Sequence, residues 1–269
     1  MDQMVGLSAT DRPRAVADLA AFIVKSVDAA RAVETPFYHL EFARVFPDDV
    51  YARVLDAMPD TADYRRMSGR RKVDVREDGT PTRVKIDLFP EYIRTLPPEK
   101  RAIWDVVGAA LCSGDVQAAF VRRLSPTLAR RFGPAFAEVG LYPIPILTRD
   151  VPGYAIHPHA DTRSKGITVQ LYLPRDASTS HIGTVFHQRL PDGSLSRSQM
   201  PFAPNTGYAF TVDDESLHSA DTVGAEVTTR DSILLTYFVD AGLLRFLRNR
   251  GKRVGNFVLN EVRHVTGRA

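Results

Sequence analysis

The residues best suited to chemistry gather in one stretch, GYAIHPHADTRSKGITVQLYLP, Gly153 to Pro174. It sets His157, His159 and Asp161 on every second position, ahead of a run of alternating polar and apolar residues. On a strand, residues two apart project from the same face, so His159 and Asp161 can reach one metal ion without bending the backbone. A third ligand must come from elsewhere, and DDESLHSADTV supplies His218 at the start of another strand-like stretch. Two imidazoles and one carboxylate form the facial triad that suits non-haem Fe(II) and leaves coordination positions open. Taken alone, His159 and Asp161 read better as a solvated edge strand; His218 and the arginine described next turn the reading towards a metal. His157 shares the face of His159 and is a rival ligand. The pairing with Asp161 favours His159 and leaves His157 as a pocket residue.

RDSILLTYF follows His218. Arg230 and Ser232 share one strand face there, with Leu234 and Thr236. An inward-pointing arginine and hydroxyl can hold a carboxylate, the arginine by a paired fork. On the strand after Asp161, Thr168, Gln170 and Tyr172 share one face, while Val169, Leu171 and Leu173 share the other. A polar inward face opposite an apolar outward one suits a ligand cavity inside a small barrel. Arg149, just before DVPG, can face the pocket or the surface.

The stretch Tyr64 to Phe89, YRRMSGRRKVDVREDGTPTRVKIDLF, is rich in charge and turns. It is expected to form a mobile loop with a short hairpin arm that closes over the metal. Its basic cluster, with Arg70 and Arg71 as candidate contacts, would suit a substrate carrying a carboxylate, phosphate or sulfate. A solvated loop is the alternative. His39, His181, His187 and His264 read as surface or structural residues, Trp104 as core, and Cys112 as inert. Asp213, Asp214 and Glu215 read as a solvated loop.

Positioning these groups requires two kinds of element. Up to about residue 137 the apolar period is helical: helices are expected over 12–33, within FPDDVYARVLDAMP, within LPPEKRAIWDVVGAALCSG, and over 115–132 with a break at Ser125–Pro126. From 138 the period becomes two. Strands are expected at 139–148, 153–161, 166–173, 183–189, 206–212, 218–223 and 227–239, and a short basic helix at 241–250. Short strands separated by turn signals point to a sandwich or jelly roll. The fold class is therefore mainly β with flanking helices. The chain reads as one functional unit: helical support and lid region over 1–137, β core over 138–240, and a helix and tail over 241–269.

Composition narrows the partners. Of 269 residues, 44% are hydrophobic and 25% charged, and the net charge of +3 is too small to argue for nucleic acid. A single cysteine permits no intrachain disulfide and fits a reducing cytoplasm. No apolar run approaches a membrane span, and the stretch AVADLAAFIV is interrupted by Asp18 with a helical period. The expected partner is a small molecule. Oligomeric state is not legible.

The ordered set H-x-D at 159–161, YLP at 172–174, Gly183–Thr184, His218, and R-x-S at 230–232 ending in YF resembles the 2-oxoglutarate- and Fe(II)-dependent dioxygenases, most closely their prolyl-hydroxylase-like branch, over roughly 139–240. The resemblance implies a double-stranded β-helix, iron at His159, Asp161 and His218, and 2-oxoglutarate and O2 as co-substrates. It places the distal carboxylate of 2-oxoglutarate on Arg230, with Ser232, Tyr172 and Thr168 beside the co-substrate. It implies hydroxylation of a C–H bond with release of succinate and CO2. Related halogenases carry Gly or Ala where Asp161 stands, so the carboxylate favours hydroxylation. The rival readings are a protein side-chain hydroxylase and a non-oxygenase, cupin-like metal protein.

Overall fold

The computed structural model describes residues 11–67, 75, 76, 78–240 and 251. The expected helix over 241–250, and Arg70 and Arg71, lie outside the described residues.

The chain begins with helix α1 (Asp11–Asp28), whose Leu19, Ile23 and Val27 form one buried stripe at helical spacing. The helix was expected to run to 33. It stops at Asp28 because Arg31–Val33 is strand β1, paired in register with β2 (His39–Phe42). Next come α2 (Asp48–Asp56), the two-residue β3 (Arg65–Arg66), β4 (Arg83–Asp87), α3 (Pro90–Ile93) and α4 (Pro98–Leu111). The expected 115–132 helix is two helices, α5 (Gly114–Arg123) and α6 (Ser125–Phe132), with Pro126 in the first turn of the second, where its missing N–H costs nothing.

The strands that follow are β5 (Leu141–Asp150), β6 (Ile156–His159), β7 (Lys165–Tyr172), β8 (Thr184–His187), β9 (Ser198–Met200), β10 (Gly207–Thr211), β11 (Leu217–Ala220) and β12 (Arg230–Val239). They form two antiparallel sheets. The larger has the order β1-β2-β10-β7-β12-β5-β4-β3, the smaller β6-β11-β8-β9. Every expected core strand is present within a few residues. Four strands of the larger sheet, β1 to β4, come from the segment read as helical support and lid.

Alternation along β7 decides what each face of the larger sheet touches. Val169 and Leu171, with Ile233 and Leu235 of β12 and Leu147 of β5, are buried against the helices in one apolar cluster. Each such side chain contributes about 1.5–3 kcal/mol by leaving water. Trp104 of α4 sits at the centre of this layer, fully buried, its indole N–H donating to Ala57 O at 2.7 Å. Tyr172, Phe186, Phe202, Tyr208 and Phe210 form a second cluster inside the barrel, between the sheets. The outward apolar face is thus a helix-covered face, and the inward face is free to carry polar groups.

Two contacts fix the parts around the barrel. Asn205, with a positive φ of 57°, accepts from the backbone N–H of Val45 and Phe46 and donates to Phe46 O at 2.9 Å. Arg131 of α6 donates to the carbonyls of Arg163 and Lys165, both at 2.7 Å, and so holds the loop between β6 and β7.

Candidate active site

His159 ends β6 and His218 is the second residue of β11. The two are register partners on adjacent antiparallel strands, which is how residues far apart in sequence come to face each other. Their ring centroids are 4.5 Å apart. Asp161 follows two residues after His159. Ligand atoms from all three lie within 4.8 Å of one another.

Hydrogen bonding orients each ligand. Nδ1 of His159 lies 2.9 Å from His157 O, and Nδ1 of His218 lies 3.0 Å from Ser216 O. A carbonyl only accepts, so each Nδ1 carries a proton, and in the neutral ring Nε2 is the atom left to bind a metal. Ser216 is itself held by Asp213, whose Oδ1 accepts from the N–H of Glu215 and Ser216. Asp213, read as a solvated acid, is the turn-former ahead of His218. Asp161 receives Lys165 Nζ on Oδ1 at 2.6 Å and Thr168 Oγ1 on Oδ2 at 2.7 Å.

Burial alone would raise the Asp161 carboxyl. The Lys165 ammonium, His218 and the bonds from Lys165 and Thr168 outweigh it and bring the group down to about 2. Burial pushes His218 down to about 4, against the pull of Asp161. The resting site therefore holds a carboxylate and a neutral imidazole whose Nδ1 proton is already committed. A borderline divalent metal with nitrogen and oxygen preferences requires that donor set, and the tethered Nδ1 atoms are the supports such ligands have. The residues fit an iron site formed by His159, Asp161 and His218.

These ligands line a cavity of about 390 Å3. Arg230 lines it as well, 1% exposed, and its three nitrogens are aimed by protein groups. Nε donates to Ile182 O at 2.8 Å, one terminal nitrogen to Asp150 Oδ2 at 2.8 Å, and the other approaches Thr184 Oγ1 at 3.4 Å. Guanidinium has five N–H donors, so two remain for an anion. Asp150 also takes a paired fork from Arg83 of β4, at 2.5 and 2.8 Å, and Arg83 stacks over Tyr154.

The other residues singled out in the sequence fall in three places. Thr168 lines the cavity beside Asp161. Tyr172 and Ser232 stand one hydrogen bond behind the wall. Tyr172 OH donates to Thr184 Oγ1 at 2.9 Å, and Ser232 Oγ accepts from Gln170 Nε2 at 3.0 Å and bonds Thr148 Oγ1 at 2.9 Å. Thr184, Gln170 and Thr148 are the lining residues there. Arg149 is away from the cavity, paired with Asp231 at 2.7 Å and stacked over Tyr64. His157 is exposed and contributes its carbonyl rather than its ring. Among the described residues of the Tyr64–Phe89 stretch, Met67 and Arg83 reach the cavity, while β3 is an edge strand of the larger sheet and β4 lies between it and β5.

Three residues of the site were missed. Lys165 had a signal: it lies four after Asp161 and opens the strand carrying Thr168. Arg83 and Asp150 had none, because they meet only through the β4–β5 register, where they are partners.

No family model and no curated protein sequence matches the chain. Solved structures do. A prolyl hydroxylase of Trichoplax adhaerens, in complex with a hypoxia inducible factor oxygen degradation domain peptide, is 10% identical, with 87% of this chain and 94% of that one covered at a TM-score of 0.51. A Pseudomonas putida prolyl-4-hydroxylase is 17% identical, covers 82% and 98%, and has a TM-score of 0.48. The α-ketoglutarate-dependent epimerase SnoN of nogalamycin biosynthesis is 13% identical, covers 84% and 83%, and has a TM-score of 0.45. At such identity the likeness to the Trichoplax protein establishes the fold: the chain has the jelly-roll architecture of that hydroxylase.

Proposed function

We propose that the protein is an Fe(II)- and 2-oxoglutarate-dependent oxygenase that hydroxylates a C–H bond of a small molecule. One observation carries the reading: His159, Asp161 and His218 converge in a cavity that also holds a buried arginine with N–H donors to spare. The rival, a cupin-like metal protein, has no need of that arginine.

Bound iron with 2-oxoglutarate and O2 would supply the oxidising chemistry, consuming the keto acid to succinate and CO2. The chain's own residues bind and orient. His157 O and Ser216 O fix the imidazole planes, and Lys165 and Thr168 fix the Asp161 carboxylate plane. Arg230, aimed by Asp150 and Ile182 O, pairs with the far carboxylate of the co-substrate and sets its depth in the cavity. The edge-to-face aromatic rings of Tyr172, Phe202 and Tyr208 back that end and keep water from it. Neither imidazole needs to act as an acid or base.

A cavity of about 390 Å3 is within the range of small-molecule sites. The same cavity must also hold the co-substrate, so a metabolite and a polypeptide segment, the alternative substrate, are separated by assay. The test has two arms. Anaerobic Fe(II) with 2-oxoglutarate should give a weak visible charge-transfer band; its absence would favour the cupin-like rival. A 2-oxoglutarate consumption assay on pooled metabolites and on peptide pools, read by mass spectrometry for products one oxygen heavier, then separates the two substrate classes.

A further inference from the structure

Charge in the cavity does not balance once the proposed co-substrate is in place. At the Arg230 end, Arg83 and Arg230 share Asp150, which leaves one positive charge for the far carboxylate of 2-oxoglutarate. At the metal end, the dication is matched by Asp161 and the remaining carboxylate of the co-substrate. Lys165 is left over. It lines the cavity, its side chain is 21% exposed, and one of its three N–H donors goes to Asp161. Asp161 is the one carboxylate among the described lining residues, and a bound dication takes over its neutralisation. The Lys165 charge, on a side chain 21% exposed and with N–H donors left over, is free to draw in an anionic ligand.

Position separates Lys165 from the Arg230 end of the co-substrate. On the β7–β12 ladder Lys165 pairs with Phe238, at the opposite end from Tyr172, which pairs with Ser232 next to Arg230. Roughly 23 Å of strand, at about 3.3 Å per residue, lies between Tyr172 and Lys165. A molecule anchored on Arg230 and chelating the metal approaches from the far side. Between the charged groups the walls include Met67, Ile156, Ala220 and Leu234.

We propose, resting on the oxygenase reading, that the primary substrate is a monoanion with an apolar body, and that Lys165 is the residue that receives its carboxylate. The residue thereby has two roles: it holds Asp161 before loading and selects the substrate afterwards.

The test uses the full-length protein loaded with Zn(II), which does no redox chemistry, and saturating 2-oxoglutarate. Calorimetry first confirms that 2-oxoglutarate binds the metal-loaded protein. Ligand-observed NMR then compares hexanoate and phenylacetate with hexanamide and phenylacetamide. The wild type should bind at least one carboxylate at least about tenfold more tightly than its amide, as expected for one charge-assisted hydrogen bond. Lys165→Arg should keep the preference. Lys165→Met should lose it while retaining Zn(II) and 2-oxoglutarate. No preference in the wild type, or a preference that survives Lys165→Met, overturns the proposal. Loss of Zn(II) in Lys165→Met overturns it too, because the lysine is then bound to Asp161 throughout. Failure of 2-oxoglutarate to bind the wild type sinks the oxygenase reading itself, a result distinguishable from normal co-substrate binding with no preference.

Discussion

His159 and His218 each commit Nδ1 to a backbone carbonyl, and that is what makes them ligands rather than two histidines in proximity. Replacing either with Ala should weaken Fe(II) binding by more than the roughly 10–100-fold typical of losing an outer support, and should abolish turnover. Asp161→Ala should abolish hydroxylation. His157→Ala is the control: it keeps the carbonyl that tethers His159, so metal affinity measured by calorimetry should hardly change. Full activity in any ligand variant would remove the assignment. At Arg230 the expected effect is on the co-substrate. Arg230→Met removes a charge-assisted pair of about 2–5 kcal/mol and should weaken 2-oxoglutarate by roughly 30-fold or more, with Fe(II) binding intact. Asp150 keeps its fork from Arg83 in that variant, so the chain should still fold. If 2-oxoglutarate binds normally, Arg83 is the cation to examine next, since Arg149 is tied to Asp231 away from the cavity. The ligands were legible from the H-x-D spacing and the strand-like stretch around His218, although the strand expected over 153–161 ends at His159 and leaves Asp161 two residues beyond it. Arg83 was not legible, because it meets Asp150 only through the β4–β5 register, which periodicity does not encode.

Glycine positions report how closely the elements pack. Gly108 lies in the middle of α4, where helix propensity alone would prefer Ala by about 1 kcal/mol. A Cβ at that position would sit 2.2 Å from the carbonyl oxygen of Leu88, a backbone atom that cannot swing aside. Overpacking of this kind costs about 1–3 kcal/mol and outweighs the propensity gain. Gly108→Ala should therefore destabilise the protein in urea unfolding; a stabilised variant would mean that α4 is not seated against the end of β4. The same contact accounts for a limit of the sequence reading. VVGAAL shows an unexplained glycine in a helix, a packing signal without an address. The address is Leu88, just after β4, in a stretch whose sequence reads as a short hairpin arm; β4 does pair antiparallel with β3, and on its other side it joins the sheet. Its pairing with β5 makes it part of the larger sheet.

At the scale of the molecule, helices cover one face of the larger sheet and the smaller sheet closes over the other, and no helix among the described residues is long and apolar enough to cross a membrane. The change of period near residue 138 made the β core legible. The N-terminal strands were not, because β1 to β3 are two to four residues long, too short for periodicity to separate from loop. Building both layers buried phenols that the sequence shows only as tyrosines. Burial raises Tyr51 to about 12 and raises Tyr64, Tyr172, Tyr208 and Tyr237 as well. In the unfolded chain each phenol ionises near 10. Above that value the unfolded state sheds protons that the folded state retains, so stability is fully present below about pH 10 and falls as pH rises towards the folded values. Tyr51 contributes through its O–H, which donates to Pro174 O at 2.6 Å and ties α2 to the end of β7. Tyr51→Phe should lower stability at neutral pH by about 1 kcal/mol for the lost hydrogen bond. It should also flatten the decline between pH 10 and 12, because one group no longer contributes to it. Urea midpoints measured across that range for both proteins check this. Parallel declines would mean that the Tyr51 phenol is solvated and that α2 does not seal this edge of the barrel.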